Sequence, residues 1–327
     1  MYDNQHQMVH STVDDLPTLF SHPAVEAASR HFLRKLKSDN TRRAYLRAAR
    51  SLSDWCTKNG VKHISQLDGK LAEQYINELR TRASRATVNL GLSALLRWFD
   101  WHESFRVARH NPFWGIQSAP RPKGRRRDAS FSADDLRRLV DSIDTTSISG
   151  MRDRALIGLL AFYFLSVRRL RTLRPKDFVR RAGGIFLRVG YGKDFTEIEC
   201  DSRVSKYVMS YLVEAKVAMR DSSPLFRSVA GASGHLTWKS LGQPDIYRIV
   251  SRRAKSAGLR GKVSPREVRA TALKLFLEKG GRIDEARLIC GHKTSRSTIR
   301  YAPVGATRPR GPYRTRMRHD DLDDWYD

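Results

Sequence analysis

The sequence predicts a mainly α-helical protein with a small β-sheet, divided between two domains. Three observations carry that reading. Apolar residues recur at helical spacing through most of the 327 residues. One segment, "IFLRVGYGKDFTEIEC" at 185–200, instead alternates on both sides of a glycine-rich turn and reads as a β-hairpin. Between two helical regions, "NPFWGIQSAPRPKGRRRD" at 111–128 breaks every period. A chain of this length can bury two separate cores.

The elements follow in order. Residues 1–20 lack periodicity, and 1–22 is expected to be a flexible arm. From 39 to 59, Tyr45, Ala48, Ala49, Leu52, Trp55 and Cys56 form one helical stripe. Arg42, Arg43, Arg47 and Arg50 occupy the other faces. A shorter helix centres on Leu71, Tyr75, Ile76 and Leu79. A third runs from about 84 to 101 through Val88, Leu92, Leu95, Leu96 and Phe99. Together they predict a helical domain over 23–108. Residues 109–128 carry three prolines, two glycines and the cations Lys123, Arg125, Arg126 and Arg127, which predicts an extended basic linker.

A second domain is expected over 129–304. Ser132 followed by Asp135 has the spacing of a helix N-terminal capping box. The run "ALIGLLAFYFL" lies in a helix predicted over about 150–166 and is too short to span a bilayer, so it reads as core. After the hairpin, helices are predicted at about 203–219, 243–257, 265–279 and 283–289. The tail, 305–327, is polar, first basic and then acidic.

Charge narrows the function. Lys and Arg number 61 against 34 Asp and Glu, a net +27, and a polyanion is the natural partner for such a field. Three cysteines, Cys56, Cys200 and Cys290, have no metal-ligand spacing and read as reduced core thiols of a cytosolic protein. The ten histidines show no pairing that would hold zinc, and the first residues carry no signal-peptide pattern. A cytoplasmic protein without metal or cofactor is expected.

Two stretches carry candidate chemistry. In "SPREVRAT" (264–271), Ser264, Pro265 and Glu267 predict a capped helix start, with Arg266 and Arg269 on one face near it. An anion there would meet free N–H groups and two guanidinium forks. In "CGHKTSRSTIRY" (290–301), His292 and Tyr301 would face opposite ways on one straight helix, since nine residues rotate about 900°. Gly291 supplies a stop, and Thr294 or Ser295 can cap a new short helix ending near Tyr301. The chain can therefore turn between imidazole and phenol.

The Arg-x-x-Arg box at 266–269, Gly291-His292 and Tyr301 have the order and spacing of the tyrosine recombinase (phage integrase) family, which the chain resembles over about residues 23–303. "AGLRGKVSPREVRAT" and "LICGHKTSRSTIRYAPV" are similar to that family's second box and its histidine-to-tyrosine segment. "VGYGKDFTEIE" resembles the hairpin whose turn carries a catalytic lysine, which falls on Lys193. The resemblance implies an N-terminal core-binding (SAM-like) domain and a mixed α+β catalytic domain. It implies Tyr301 as the nucleophile on a DNA phosphodiester, with Arg266, Arg269, His292 and Lys193 around the phosphate. It also implies double-stranded DNA as partner, with Arg42, Arg43, Arg47 and the linker cations as candidate contacts, and a homotetramer on two DNA sites.

One position departs from the pattern. The family's first catalytic arginine lies seven residues before a leucine and eleven before an acidic residue; counting back from Leu173 and Asp177 reaches Ser166. A hydroxyl cannot supply a bidentate cationic fork. Arg168 and Arg169 are close in sequence, but two residues along a helix turn a side chain about 200° away. The second box also begins with Arg266 where the family has histidine. Two main expectations follow: a recombinase with impaired or lost catalysis, or a DNA-binding relative that no longer exchanges strands. A type IB topoisomerase uses related residues and is the third.

Overall fold

The computed structural model describes residues 16–120, 131–191, 194–231, 235–261 and 263–302. The chain divides into two compact units, residues 1–123 and 124–327.

The first unit is built on four helices: α1 (Pro23–Lys35), α2 (Asp39–Lys58), α3 (Gly69–Arg82) and α4 (Arg85–Ser104). Pro23 opens α1, where its missing N–H costs nothing. The Asp68 and Ser84 side chains accept the amides of Leu71 and Thr87 and so start α3 and α4. The predicted stripe of α2 is buried throughout, and Trp98 of α4 lies fully enclosed between Phe20 and Phe32. Trp98 Nε1 donates to Ser29 Oγ at 3.2 Å, and Ser29 is in turn 2.9 Å from His102 Nε2. Burial lowers the His102 imidazole to about 4.

Both flanks of this unit are tighter than the sequence predicts. Within the expected arm, a 3-10 turn at Thr18–Phe20 places Leu19 and Phe20 in the core. Within the expected linker, residues 111–120 are lashed to the helices. Asn111 donates to Leu96 O and Asp100 Oδ1, and Phe113 is fully buried. Asn89 bonds both to the carbonyl and to the amide of Ala119, while Arg80 and Arg85 donate to the carbonyls of Gln117 and Pro120. Side-chain amides and guanidinium groups satisfy a backbone that proline keeps out of regular structure. Lys123, Arg125, Arg126 and Arg127 lie outside the described residues.

The second unit begins with α5 (Ala133–Asp141), whose capping box forms in both directions between Ser132 and Asp135. Helix α6 (Ile148–Tyr163) is buried on nearly every face and packs against α8 (Ser202–Glu214) and α10 (Pro265–Glu278). Its Asp153, completely enclosed, gathers the guanidinium groups of Arg152 (2.8 Å), Arg252 (3.0 Å) and Arg253 (2.8 Å). The last two belong to α9 (Gln243–Ser256), so one carboxylate pins two helices. Arg152 also donates to the carbonyl of Arg227 at 3.0 Å.

Helix α6 stops at Phe164, a non-glycine residue with φ 46°. Such a backbone costs on the order of 1–3 kcal/mol. The Phe164 ring is fully buried, 5.2 Å from that of Phe276, and burying a phenyl ring contributes about 1.5–3 kcal/mol. The reversal turns the chain into α7 (Val167–Thr172).

The predicted hairpin is present as β2 (Gly184–Tyr191) and β3 (Asp194–Glu199), antiparallel with Leu187 opposite Ile198. An additional strand, β1 (Phe178–Arg181), pairs with β2 on its other edge, Phe178 opposite Leu187. A second antiparallel pair, β4 (Arg227–Val229) and β5 (Leu236–Ser240), was not legible in the pattern. Helix α8 ends at Glu214, short of the predicted 219, because Lys216 adopts φ 53° and reverses the chain. The last elements are α11 (Ile283–Cys290) and the four-residue α12 (Arg296–Ile299). Among the described residues no helix is long and apolar enough to cross a membrane.

Candidate active site

Helix α10 starts as its sequence requires. Ser264 Oγ accepts the Glu267 amide, the Glu267 carboxylate accepts the Ser264 amide at 2.7 Å, and Pro265 takes the first position. Arg266 stands exposed in the first turn, while Arg269 is half-buried one turn further on. Arg269 Nη2 donates to the carbonyl of Cys290 and contacts His292 Nε2, both at 3.0 Å.

His292 is delivered by the end of α11. Gly291 takes a left-handed conformation, φ 64°, and the amides of Gly291 and His292 return to the carbonyls of Leu288 and Arg287. The chain then turns through residues 293–295 into α12, as the Gly-His…Tyr spacing predicts. The expected hydroxyl cap is not made: Ser295 Oγ instead faces Asp284 Oδ1 at 3.5 Å, because its backbone is already helical. Beyond α12, the amide of Tyr301 bonds to the carbonyl of Thr298 at 2.9 Å, and the tyrosine ring lies half-buried against the core of this unit.

The imidazole is held from both sides. A guanidinium has no acceptor, so Nε2, facing Arg269, carries the lone pair. Nδ1 therefore carries the proton and donates to Thr298 Oγ1 at 2.9 Å. Burial first, and then the Arg269 charge, bring the His292 pKa down to about 4. At neutral pH the ring is uncharged.

Ser166 has a structural task. Its hydroxyl accepts the Arg169 amide at 3.2 Å and caps α7. Arg168 is exposed on that helix. Arg169 turns to the sheet, donating to the carbonyl of Arg188 at 2.8 Å and facing Asp177 at 3.4 Å. Lys193 lies outside the described residues, following β2 and preceding β3 in sequence.

The candidate contacts on the first unit separate into two kinds. Arg42 is engaged internally: it donates to the carbonyls of Leu33 and Leu36, both at 3.1 Å, and to Asp39 at 2.9 Å. It closes the end of α1. Arg43 and Arg47 are exposed a turn apart on α2, Arg43 also reaching Asn40. Two residues with clear tasks escaped the sequence reading. Thr298 carries no signal beyond its place inside the His-to-Tyr segment. Asp153 sits in an apolar helix, where a buried carboxylate needs cationic partners, and that was the available clue.

Comparison with known proteins finds matches to both units. Residues 129–308 match the phage integrase family, and residues 25–107 match the phage integrase N-terminal SAM-like domain. The chain is 24% identical to tyrosine recombinase XerC of Oceanobacillus iheyensis, over 86% of this chain and 91% of that protein. It is 26% identical to an inferred integrase/recombinase of Sinorhizobium fredii over 82% of this chain, and spans 63% of that relative's length. The fold is shared with XerH site-specific recombinase bound to a palindromic difH substrate, with a TM-score of 0.65 at 15% identity over 90% of each chain. On these matches, which together reach both units, the chain belongs to the phage integrase family of tyrosine recombinases.

Proposed function

We propose that this chain is a site-specific DNA recombinase or integrase whose catalytic power is reduced at one position. Tyr301 attacks a DNA phosphodiester to give a 3′-phosphotyrosyl bond and a free 5′-hydroxyl; a second strand's 5′-hydroxyl reverses the step. The covalent intermediate conserves the bond energy, so neither a nucleotide cofactor nor a metal is consumed. Arg269 and Arg266 neutralise the nonbridging oxygens as charge builds on phosphorus. Lys193 protonates the leaving oxygen, and His292 bonds the phosphate or assists the phenol proton. The observation that carries this reading is the 3.0 Å contact between Arg269 and His292, with Tyr301 nine residues beyond the histidine in sequence.

Ser166 sets the rate. Loss of one oxyanion clamp removes about 2.7–4 kcal/mol of transition-state stabilisation. The cap that Ser166 makes on α7, the bond of Arg169 to the sheet and the exposure of Arg168 on α7 support that reading. A second reading draws on the same observation: a DNA-binding relative that keeps the clamp and no longer exchanges strands. Family resemblance supports double-stranded DNA as the ligand and a homotetramer on two sites as the assembly. The test is a nicked suicide substrate. A covalent adduct that maps to Tyr301 supports the recombinase; binding without adduct, in this chain and in Ser166→Arg alike, supports the second reading.

A further inference from the structure

We propose that α9 carries a phosphate-binding row, Arg248, Arg252 and Lys255, that lies along the backbone of a DNA duplex, with Arg252 anchored for the task at one nitrogen on the buried Asp153. The row rests on DNA as the ligand, which both readings above share, and not on strand exchange. Asp153 is completely enclosed and meets three guanidinium groups that are not equivalent. The side chain of Arg152 is 5% exposed and that of Arg253 is 19% exposed, so these two are the partners a buried carboxylate requires. Arg252 is 61% exposed and reaches Oδ2 of the same carboxylate through Nη2 at 3.0 Å. One negative charge is already outnumbered by two covered cations, and Arg252 adds a third positive charge where neutrality calls for none.

A surplus of like charge at one carboxylate is relieved by an anion from solvent. The guanidinium carries five N–H donors in a planar fork, so the bond to Asp153 leaves donors for phosphate oxygens. Because that bond already holds the long side chain, little rotamer freedom remains to be lost on binding. Arg248, Arg252 and Lys255 are spaced four and three residues apart, which places them on one helical face, and all three are exposed. The single acid of α9, Asp245, is already engaged: it accepts the Gly242 amide at 2.9 Å and pairs with Arg248. From Arg248 to Lys255 the row runs about 10 Å along the helix. That is the axial length of about three phosphates on one strand. A lone small anion would meet one of these cations, whereas a duplex backbone meets the row.

The test is binding of the full chain to an unnicked duplex of about 30 base pairs and arbitrary sequence, followed by anisotropy between about 0.05 and 0.2 M salt, beside a melting curve. Each phosphate contact adds about 0.9 to the slope of log affinity against log salt, so losing one narrows the affinity range across that window about 3.5-fold. Arg252→Ala should narrow the range by that factor and leave the melting temperature unchanged, because solvent screens its ion pair. Arg253→Ala removes a covered partner of the same carboxylate; it should lower the melting temperature and keep the wild-type range. Arg248→Ala and Lys255→Ala should each narrow the range as Arg252→Ala does. An unaltered range in a folded Arg252→Ala protein would overturn the assignment, and wild-type ranges in both Arg248→Ala and Lys255→Ala would overturn the row. A chain that binds no duplex even at the lowest salt sinks the DNA reading itself, whereas binding that ignores these substitutions removes α9 alone.

Discussion

The hydroxyl of Ser166 accepts the backbone amide of Arg169 at 3.2 Å, so this side chain serves as the cap of α7. A serine cap of this kind contributes about 1 kcal/mol to a helix end.

On the proposed reading, an arginine at position 166 would supply the missing clamp at the expense of that cap. Ser166→Arg should raise single-turnover cleavage by about 10²–10³-fold, the worth of one oxyanion clamp. It should also destabilise the protein by about 0.5–2 kcal/mol through loss of the cap. Suicide-substrate kinetics and urea unfolding on the same preparation measure the two effects. Equal, robust cleavage by both proteins would show that position 166 is not the first arginine site.

Arg42 and Arg47 should respond in opposite ways. Removing Arg42 frees two carbonyls at the end of α1, so Arg42→Ala should lower the melting temperature. Exposed Arg47 should leave melting unchanged; as a phosphate contact, its replacement by alanine would reduce the slope of log affinity against log salt by about 1. A salt titration of DNA binding beside a melting curve separates them, and an unaltered slope removes Arg47 from the interface.

Asp153→Asn should be among the most damaging single changes. The carboxylate is fully enclosed and is shared by three guanidinium groups from α6 and α9. Cancelling its charge leaves the enclosed Arg152 and the mostly covered Arg253 uncompensated, at a cost of about 3–5 kcal/mol. Chemical denaturation measures it; a loss below about 1 kcal/mol would mean that the cations relax into solvent.

One buried histidine and one half-buried histidine make the fold sensitive to acid. His102 and His292 both have pKa values lowered to about 4 against an ordinary 6.5. Between those values the unfolded chain binds protons that the folded chain refuses, so stability is present above pH 6.5 and falls as pH drops toward 4. Unfolding free energy should decline on the order of 2 kcal/mol between pH 7.5 and 5, most of it from His102, because solvent partly screens His292. Urea midpoints at the two pH values check this; equal midpoints would show that both rings charge freely in the fold.

Long periodic helices were legible in the sequence because each buries a repeating face, and α2, α9, α10 and α11 lie within a residue or two of their expected bounds. Helix α1 was not singled out, since its buried face mixes Val25, Ala28, Ser29 and Phe32 and gives a weak stripe. That gap explains Arg42: without α1 there were no carbonyls for it to close, and a cation on a basic helix looked available to a phosphate. Strands β1 and β4, of four and three residues, are too short for alternation to register. The order of the site residues was legible because motif spacing is local. The tautomer of His292 was not, since it depends on a guanidinium 23 positions away.

The bonds that join Asn89 to Ala119, with Phe113 enclosed beneath them, redraw where the N-terminal half should be cut for separate expression. A fragment stopped at the last helical residue, Ser104, would strip off a strap that covers its own interior and would present a greasy scar to solvent. Carrying the polypeptide through residue 120 keeps that seam closed, and any swap of this half between relatives inherits the same margin.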